Sequence, residues 1–278
     1  MRDLTGKTAF VTGGASGIGF ALGQAFAQAD MKVMLADIET DALAAAVQSL
    51  RELGVDVRGV FCDVADPRSV ESAASATFEA YGKVHVLCNN AGVAGGSGID
   101  DISLDNWRWV IDVNLMGVVH GISAFLPHIR AHGEGGHIVN TASMAGIVSD
   151  LGFSPYATSK FAVVAISEGL APQLKPHGIG VTVVCPSFVR TRIGDSGRNR
   201  PLRYGLATRP DPASSAGVLA AQISELLKSG IDPSDVAALV LAAIRDDQLY
   251  VFTHPETRRE VDERFAAIQS AMNKAAAR

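Results

Sequence analysis

Thr8-Ala-Phe-Val-Thr12-Gly13-Gly-Ala-Ser16-Gly17-Ile18-Gly19 passes from a β-rich apolar run through a glycine turn into a helical pattern. Residues 8–12 read as a buried strand, and the helix reads from 17 to 28. Glycines at 13, 17 and 19 permit a tight connection and let backbone N–H groups approach a pyrophosphate at the helix N-terminus. The spacing is G-x-x-x-G-x-G rather than G-x-G-x-x-G, and a turn of this kind can also be purely structural. Asp37 adds weight to the nucleotide reading. It ends the next strand (32–37), eighteen residues after Gly19, where an acid meets adenosine ribose hydroxyls. Its plainer reading is a cap for the helix that follows.

Downstream, strands read at 57–62, 84–89, 137–141 and 180–185, with a last one at 249–253. Helices read at 42–53, 67–81, 104–132 and 155–174 between them. Strand–helix alternation with continuous apolar strands predicts an α/β, doubly wound (Rossmann) parallel sheet of about seven strands, with helices on both faces. No repeat, low-complexity tract or internal linker interrupts it, so residues 1–278 read as a single dinucleotide-binding and catalytic domain. The pattern breaks only at about 190–216, where Arg, Gly, Pro and Ser dominate. This insertion follows the sixth strand and is expected to arch over the carboxyl edge of the sheet as a mobile substrate lid. Helices at 216–228 and 233–245 come next. The tail, about 256–275, is helical, with Val261, Phe265, Ile268 and Met272 on one stripe.

Composition bounds the partners. Apolar residues make up 47% of the 278 and charged residues 19%, which suits a large core under a modest solvated surface. A net charge of −5 argues against nucleic acid. Charge or glycine interrupts every hydrophobic run, so no membrane span is expected, and the first residues enter a strand without a signal-peptide core. Cys62, Cys88 and Cys185 each fall near a strand end. They read as buried thiols in a reducing cytoplasm rather than as disulfide partners.

A second motif names the chemistry: Ser143, then Tyr156-Ala-Thr-Ser-Lys160. A tyrosine and a lysine four residues apart share one helix face. The ammonium beneath the phenol favours its ionised form, lowering a pKa that is otherwise about 10. Such a phenol can take a proton from an alcohol or return one to a carbonyl. Asp37 bears on the cofactor as well, because its carboxylate repels a 2′-phosphate. At about 4 Å and an effective dielectric near 20, each charge pair costs roughly 4 kcal/mol, less when exposed. No Arg or Lys lies within 13–19 or directly after Asp37, so NAD rather than NADP is expected.

Over essentially its whole length the chain resembles the short-chain dehydrogenases/reductases. The resemblance rests on Thr12-Gly-x-x-x-Gly17-x-Gly19, Asp63-Val64, Asn89-Asn90-Ala91-Gly92, Asn114, Ser143 and Tyr156-x-x-x-Lys160. It implies a cofactor site in which Ser16, Ile18 and Ile38 accompany Gly13, Gly17, Gly19 and Asp37. Asp63 and Val64 would hold the adenine, and Asn90, Ala91 and Gly92 would line the cofactor beside the fourth strand. Where the family has Pro-Gly after the sixth strand, this chain has Pro186-Ser187, followed by Val189 and Thr191, which are expected near the nicotinamide. Tyr156 is implied as the general acid/base, with Lys160 lowering its pKa and binding the nicotinamide ribose. Ser143 would hydrogen-bond the substrate oxygen, and Asn114 would hold a water linking Lys160 to solvent. The implied activity is NAD-dependent oxidation of a CH–OH group or the reverse.

Each site residue has a plainer reading: Ser143 as a strand-end cap, Asn114 as a buried polar group at a helix bend, Lys160 as a solvated position. Their joint occurrence weighs against all of these. The resemblance further implies a homo-oligomer, a tetramer or dimer. Val118, Ile122 and Leu126 on one helix and Val164, Ile166 and Leu170 on another supply apolar stripes for subunit contact.

Residues 93–98, Met144, Phe153, Phe188 and the insertion are expected to face the nicotinamide. Being mostly apolar, they suit a hydrophobic secondary alcohol or ketone rather than a sugar. Arg190, Arg192, Arg198, Arg200, Arg203 and Arg209 outnumber Asp195 and Asp211 in the insertion. They could grip a substrate carboxylate or phosphate; ion pairs from a solvated lid to the body are the plainer reading. Residues 136–143, 196–201 and 249–254 are similar to bacterial Cα-dehydrogenases of lignin-type β-aryl ethers. That resemblance implies oxidation of a benzylic alcohol to an aryl ketone with NAD. Another alicyclic or hydroxy-acyl substrate stays open, as do a non-catalytic NAD(H)-binding regulator and a cofactor-recycling epimerase or dehydratase. No metal is expected, since His128, His132 and His137 lack carboxylate or cysteine partners at ligand spacing. The G-x-S-x-G elbow of a serine hydrolase is missing.

Overall fold

β1 (Thr8–Thr12) turns through its glycines into α1 (Gly17–Gln28), and the unit recurs as β2 (Lys32–Asp37), α2 (Thr40–Arg51), β3 (Val57–Phe61), α3 (Pro67–Tyr81) and β4 (Val86–Asn89). Then come α4 (Leu104–Ile111), a π-helical turn Asp112–Met116, α5 (Gly117–Ala131), β5 (Gly136–Thr141), α6 (Pro155–Leu174) and β6 (Ile179–Cys185). The chain closes with α7 (Ser215–Ser229), α8 (Pro233–Asp246), β7 (Tyr250–Phe252) and α9 (Arg258–Ala276). These elements come from a computed structural model, which describes residues 1–95, 102–149, 154–206 and 211–276. The seven described strands form one parallel sheet, ordered β3-β2-β1-β4-β5-β6-β7.

The strands read as unbroken apolar runs because both faces are covered. In β1, Ala9 and Val11 pack into one layer with Leu22 and Phe26 of α1 and Ile244 of α8. Phe10 points into the other layer, its ring centroid 4.3 Å from that of Phe125 on α5. This alternation lets a single strand feed two cores. The order also places the site. β1 lies between β2 and β4, so the chain leaves it in opposite directions and a crevice opens at the carboxyl ends of β1 and β4. Thr12 fastens that point. Its hydroxyl accepts from the N–H groups of Asn90 (2.9 Å) and Ala91 (3.0 Å) and donates to the Cys88 carbonyl (3.2 Å).

Three expectations change. The helix read at 104–132 is interrupted, because the wider π turn carries Asn114 inward until it is 1% exposed. The run Leu104–Ala131 is long and apolar enough by composition to cross a membrane, contrary to the reading that every such run is broken. Its Val110, Phe125 and Ile129 are instead buried in the cores, as expected of a core helix. The proposed subunit stripes are partly consumed within the chain: Val118 and Val164 are buried, while Leu126 and Leu170 pack against the second core. In the tail, Val261 packs on the body but Phe265, Ile268 and Met272 are exposed. All three cysteines are buried free thiols, as expected.

Candidate active site

Glycine is required where the turn after β1 meets its neighbours. Gly13 has φ +66°, and a Cβ there would lie 2.9 Å from the Ala91 Cα. At Gly19 a Cβ would come within 2.1 Å of the Gly13 carbonyl oxygen, so α1 can seat on the turn only without a side chain. Ser16, the residue before α1, makes no side-chain cap, and the first turn holds no acidic residue. The backbone donors of that turn therefore face the cleft without an internal partner, which fits a bound phosphate.

The cleft encloses about 440 Å³ along the carboxyl edge of the sheet. Of the sequence-derived cofactor residues, Gly13, Ser16, Gly17, Ile18, Asp37, Ile38, Asp63, Val64, Asn90, Ala91, Gly92, Pro186, Ser187, Val189 and Thr191 all line it. Gly19 does not; it supports the turn from behind. Ser143, Met144, Tyr156, Lys160 and Phe188 also line the cleft. Phe153 and Arg209 lie outside the described residues, as do residues 96–98.

The chemical end is assembled by α6. Ser154 accepts from the Ala157 N–H at 3.1 Å and Pro155 opens the helix, so the first turn starts in a fixed place and carries Tyr156. At Gly146 a Cβ would lie 2.6 Å from the Lys160 carbonyl, so the loop after β5 lies directly on the α6 backbone. Lys160 is 3% exposed, and its Nζ donates to the Thr141 carbonyl at 2.8 Å and stands 5.6 Å from the Tyr156 ring centroid. A Cβ on Gly92 would lie 3.4 Å from Asn114 Oδ1 and 3.5 Å from Lys160 Nζ, which marks where these groups converge. Asn114 is held by Val93: Oδ1 accepts from its N–H (2.8 Å) and Nδ2 donates to its carbonyl (2.9 Å).

Ser143 fulfils the plainer reading too, since its hydroxyl accepts from the Ala145 N–H at 3.2 Å while donating to the Pro186 carbonyl at 3.3 Å. The phenol corrects one expectation. Burial pushes the Tyr156 pKa up rather than down, and a hydrogen bond with Ser143 opposes that rise. Burial also draws Lys160 down to about 8. Burial disfavours the charged form of both groups, and the Lys160 ammonium does not reverse this for the phenol.

The insertion is tethered across the cleft and carries short helical turns at Ile193–Asn199 and Leu202–Tyr204. Its described arginines are spent on the body, as in the plainer reading. Arg190 pairs with Asp232, Arg198 with Glu39 and Arg203 with Asp63, and Arg200 lies over the Trp109 ring. The Tyr204 hydroxyl donates to Asp112 at 2.8 Å. Reasoning from sequence missed Glu39, Trp109 and Tyr204, and also Leu219, Ile223 and Leu227 of α7, all of which line the cleft. Only the apolar content of α7 offered a signal. The three histidines considered for a metal have separate surroundings: His128 lies tilted against Phe78, His132 bonds the Val84 carbonyl, and His137 is buried against Thr182.

A family model described as short chain dehydrogenase matches residues 7–201. The C alpha-dehydrogenase of Sphingobium sp. (strain NBRC 103272 / SYK-6) is 33% identical over 269 residues, covering 96% of this chain and 87% of that protein. A 1-deoxy-11-beta-hydroxypentalenate dehydrogenase of Streptomyces avermitilis is 36% identical over 261 residues, covering 93% and 88%. Among solved structures, a short chain dehydrogenase/reductase from Burkholderia phymatum in complex with NAD superposes with a TM-score of 0.93. It is 39% identical, and the match covers 98% of this chain and 97% of that one.

Proposed function

Because the chain belongs to the short-chain dehydrogenase family, we propose that it is an NAD-dependent oxidoreductase interconverting a hydrophobic, aromatic secondary alcohol and its ketone. The observation that carries this reading is the convergence of Ser143, Tyr156 and Lys160 at one end of a cleft whose other end carries the glycine turn and Asp37. NAD, when bound, supplies the hydride acceptor. Asp37 stands where a 2′-phosphate would be repelled, and the Burkholderia relative was solved with NAD.

Ser143 and Tyr156 direct two hydroxyls at one substrate oxygen. In alcohol oxidation Tyr156 takes the substrate proton, and in ketone reduction it returns one. A phenol raised by burial holds its proton, so the free site is set for donation. In the oxidative direction that burial works against the phenolate, and the Lys160 charge, 5.6 Å from the ring centroid, opposes it only in part. Lys160 Nζ and Asn114 Oδ1 both lie beside Gly92, and Val93 keeps the Asn114 amide from turning away.

Met144, Phe188, Trp109, Val148 and Ile223 give the substrate region an apolar lining, which favours an aromatic or alicyclic body. The Sphingobium relative is a C alpha-dehydrogenase by name, which is in keeping with the benzylic oxidation of a β-aryl ether that the sequence resemblance implies. An alicyclic hydroxyl is the second reading, favoured by the hydroxypentalenate relative. A screen of aromatic and alicyclic secondary alcohols with NAD, read at the NADH absorbance, tests both. No net NADH from any alcohol would defeat the dehydrogenase reading, and turnover of alicyclic alcohols alone would defeat the aromatic one. We further propose a cytoplasmic homo-oligomer, tetramer or dimer, with Phe265, Ile268 and Met272 exposed on α9 for contact. A monomer by light scattering at micromolar concentration would overturn that.

A further inference from the structure

Asp37 and Glu39 stand together at the carboxyl end of β2 and are bonded differently. Asp37 is tied into its own turn, accepting from the N–H groups of Ala15 (2.9 Å) and Glu39 (3.0 Å). The Glu39 carboxylate instead accepts from the insertion on the facing wall. Arg198 reaches Oε1 through Nε at 3.1 Å and Nη2 at 2.6 Å, and Asn199 reaches it at 2.7 Å. Arg192 stands 3.5 Å from Oε2. Arg198 has independent support, because its Nη1 donates to the carbonyls of Arg192 (3.1 Å) and Asp195 (2.9 Å). The guanidinium would therefore stay in place if Glu39 were removed. Two guanidinium groups and an amide converging on one anion form a donor set suited to a phosphate. Glu39, Arg192, Arg198 and Asn199, with Asp37 and Ile38, line the cleft.

We propose that Glu39 is an internal substitute for a 2′-phosphate, filling an anion site made by Arg192, Arg198 and Asn199 and so excluding 2′-phosphorylated dinucleotides. The inference rests on the dinucleotide reading of the cleft and adds a selectivity residue to it. The two carboxylates, Asp37 and Glu39, balance the two arginines, so an arriving 2′-phosphate finds no unspent cation. Without Glu39 one positive charge is left over, on a guanidinium already held in position. Asp37 alone then opposes the phosphate.

Calorimetric titration of adenosine 2′,5′-bisphosphate and of 5′-AMP into the wild type and Glu39→Ala tests this without turnover. The ratio of the two affinities should shift toward the bisphosphate by about tenfold or more, the scale of one charge-assisted hydrogen bond. Adding Arg198→Ala to Glu39→Ala should erase the shift. Glu39→Gln keeps the side-chain shape and should move the ratio in the same direction, which serves if the alanine variant does not fold. The kcat/KM ratio of NADP over NAD should follow. If 5′-AMP binds and the ratio stays within about twofold of wild type in both variants, the proposal is overturned while the dinucleotide reading stands. If the wild type binds neither nucleotide nor NAD, both fall together.

Discussion

At the chemical end of the cleft, a lysine that is 3% exposed donates to a single carbonyl beneath a phenol. At the adenosine end, Glu39 and Asp63 lie under arginines of the insertion whose side chains are 25% and 50% exposed. The first end stores a cost, because a charge held in a dry pocket is disfavoured and shifts its pKa. The second holds pairs at the rim of the cleft, partly reached by water, where each pair contributes on the order of 1 kcal/mol and weakens with salt. The proposed function thus assigns chemistry to buried, costly groups, and the proposed selectivity and closure to exposed, reversible ones.

The largest effect should come from the chemical end. Tyr156→Phe keeps the ring and removes the proton, so kcat should fall by about 10²–10⁴ while NADH binding, followed by fluorescence, persists. Retention of more than about a tenth of kcat would remove Tyr156 from the acid/base role.

Lys160→Met should abolish turnover and weaken NAD, yet its stability effect separates the two ends most cleanly. The folded-state pKa of Lys160 lies at about 8 against an ordinary 10.5. Between those values the unfolded chain binds the extra proton, so this group makes stability rise with pH across about 8 to 10.5. Below pH 8 the full burial cost is present, on the order of 3 kcal/mol. The wild type should therefore gain stability relative to Lys160→Met as pH rises from 8 to 10, measured by urea unfolding. A constant difference would mean the lysine is buried without strain. Losing its bond to Thr141 lowers the variant equally at every pH and does not affect the slope.

The same contrast explains what was legible in the sequence. Thr8–Thr12, the glycine turn and the spacing from Tyr156 to Lys160 are local patterns, and local patterns fix strand, helix and shared face. The chemical end was therefore readable residue by residue, except that burial reversed the expected direction for Tyr156. The adenosine end was not. Glu39 meets Arg198 across 159 residues and Asp63 meets Arg203 across 140, pairings that exist only once the insertion folds back over β2 and β3. No spacing encodes them. The π turn that carries Asn114 escaped for another reason: it shifts the helical phase by one residue, and the run Leu104–Ala131 is apolar enough throughout to mask that shift.

Salt should discriminate between the ends. Raising ionic strength from about 0.05 M to about 0.5 M should loosen the insertion and speed protease nicking near Arg198 and Arg203 several-fold. The urea midpoint of the body should change little over the same range. Added NAD with a substrate analogue should slow nicking again. If nicking is independent of both salt and ligand, the insertion is a fixed wall and its ion pairs do not gate the cleft.

The smallest expected effect is at Asp63. Its Oδ1 accepts from the Ala65 N–H at 3.0 Å and its Oδ2 from Arg203 at 2.8 Å, so an adenine amino group held by Asp63, as proposed, would share an oxygen already in use. Arg203→Ala removes that competitor. A half-exposed pair is worth at most about 1 kcal/mol, so 5′-AMP should bind up to about fivefold tighter in the variant at low salt. The gain should vanish at about 0.5 M salt, where the pair is screened in the wild type as well. Weaker binding in the variant would mean that Arg203 holds the adenine pocket shut around its ligand. The adenosine end would then owe its affinity to the insertion, as the chemical end owes its geometry to α6.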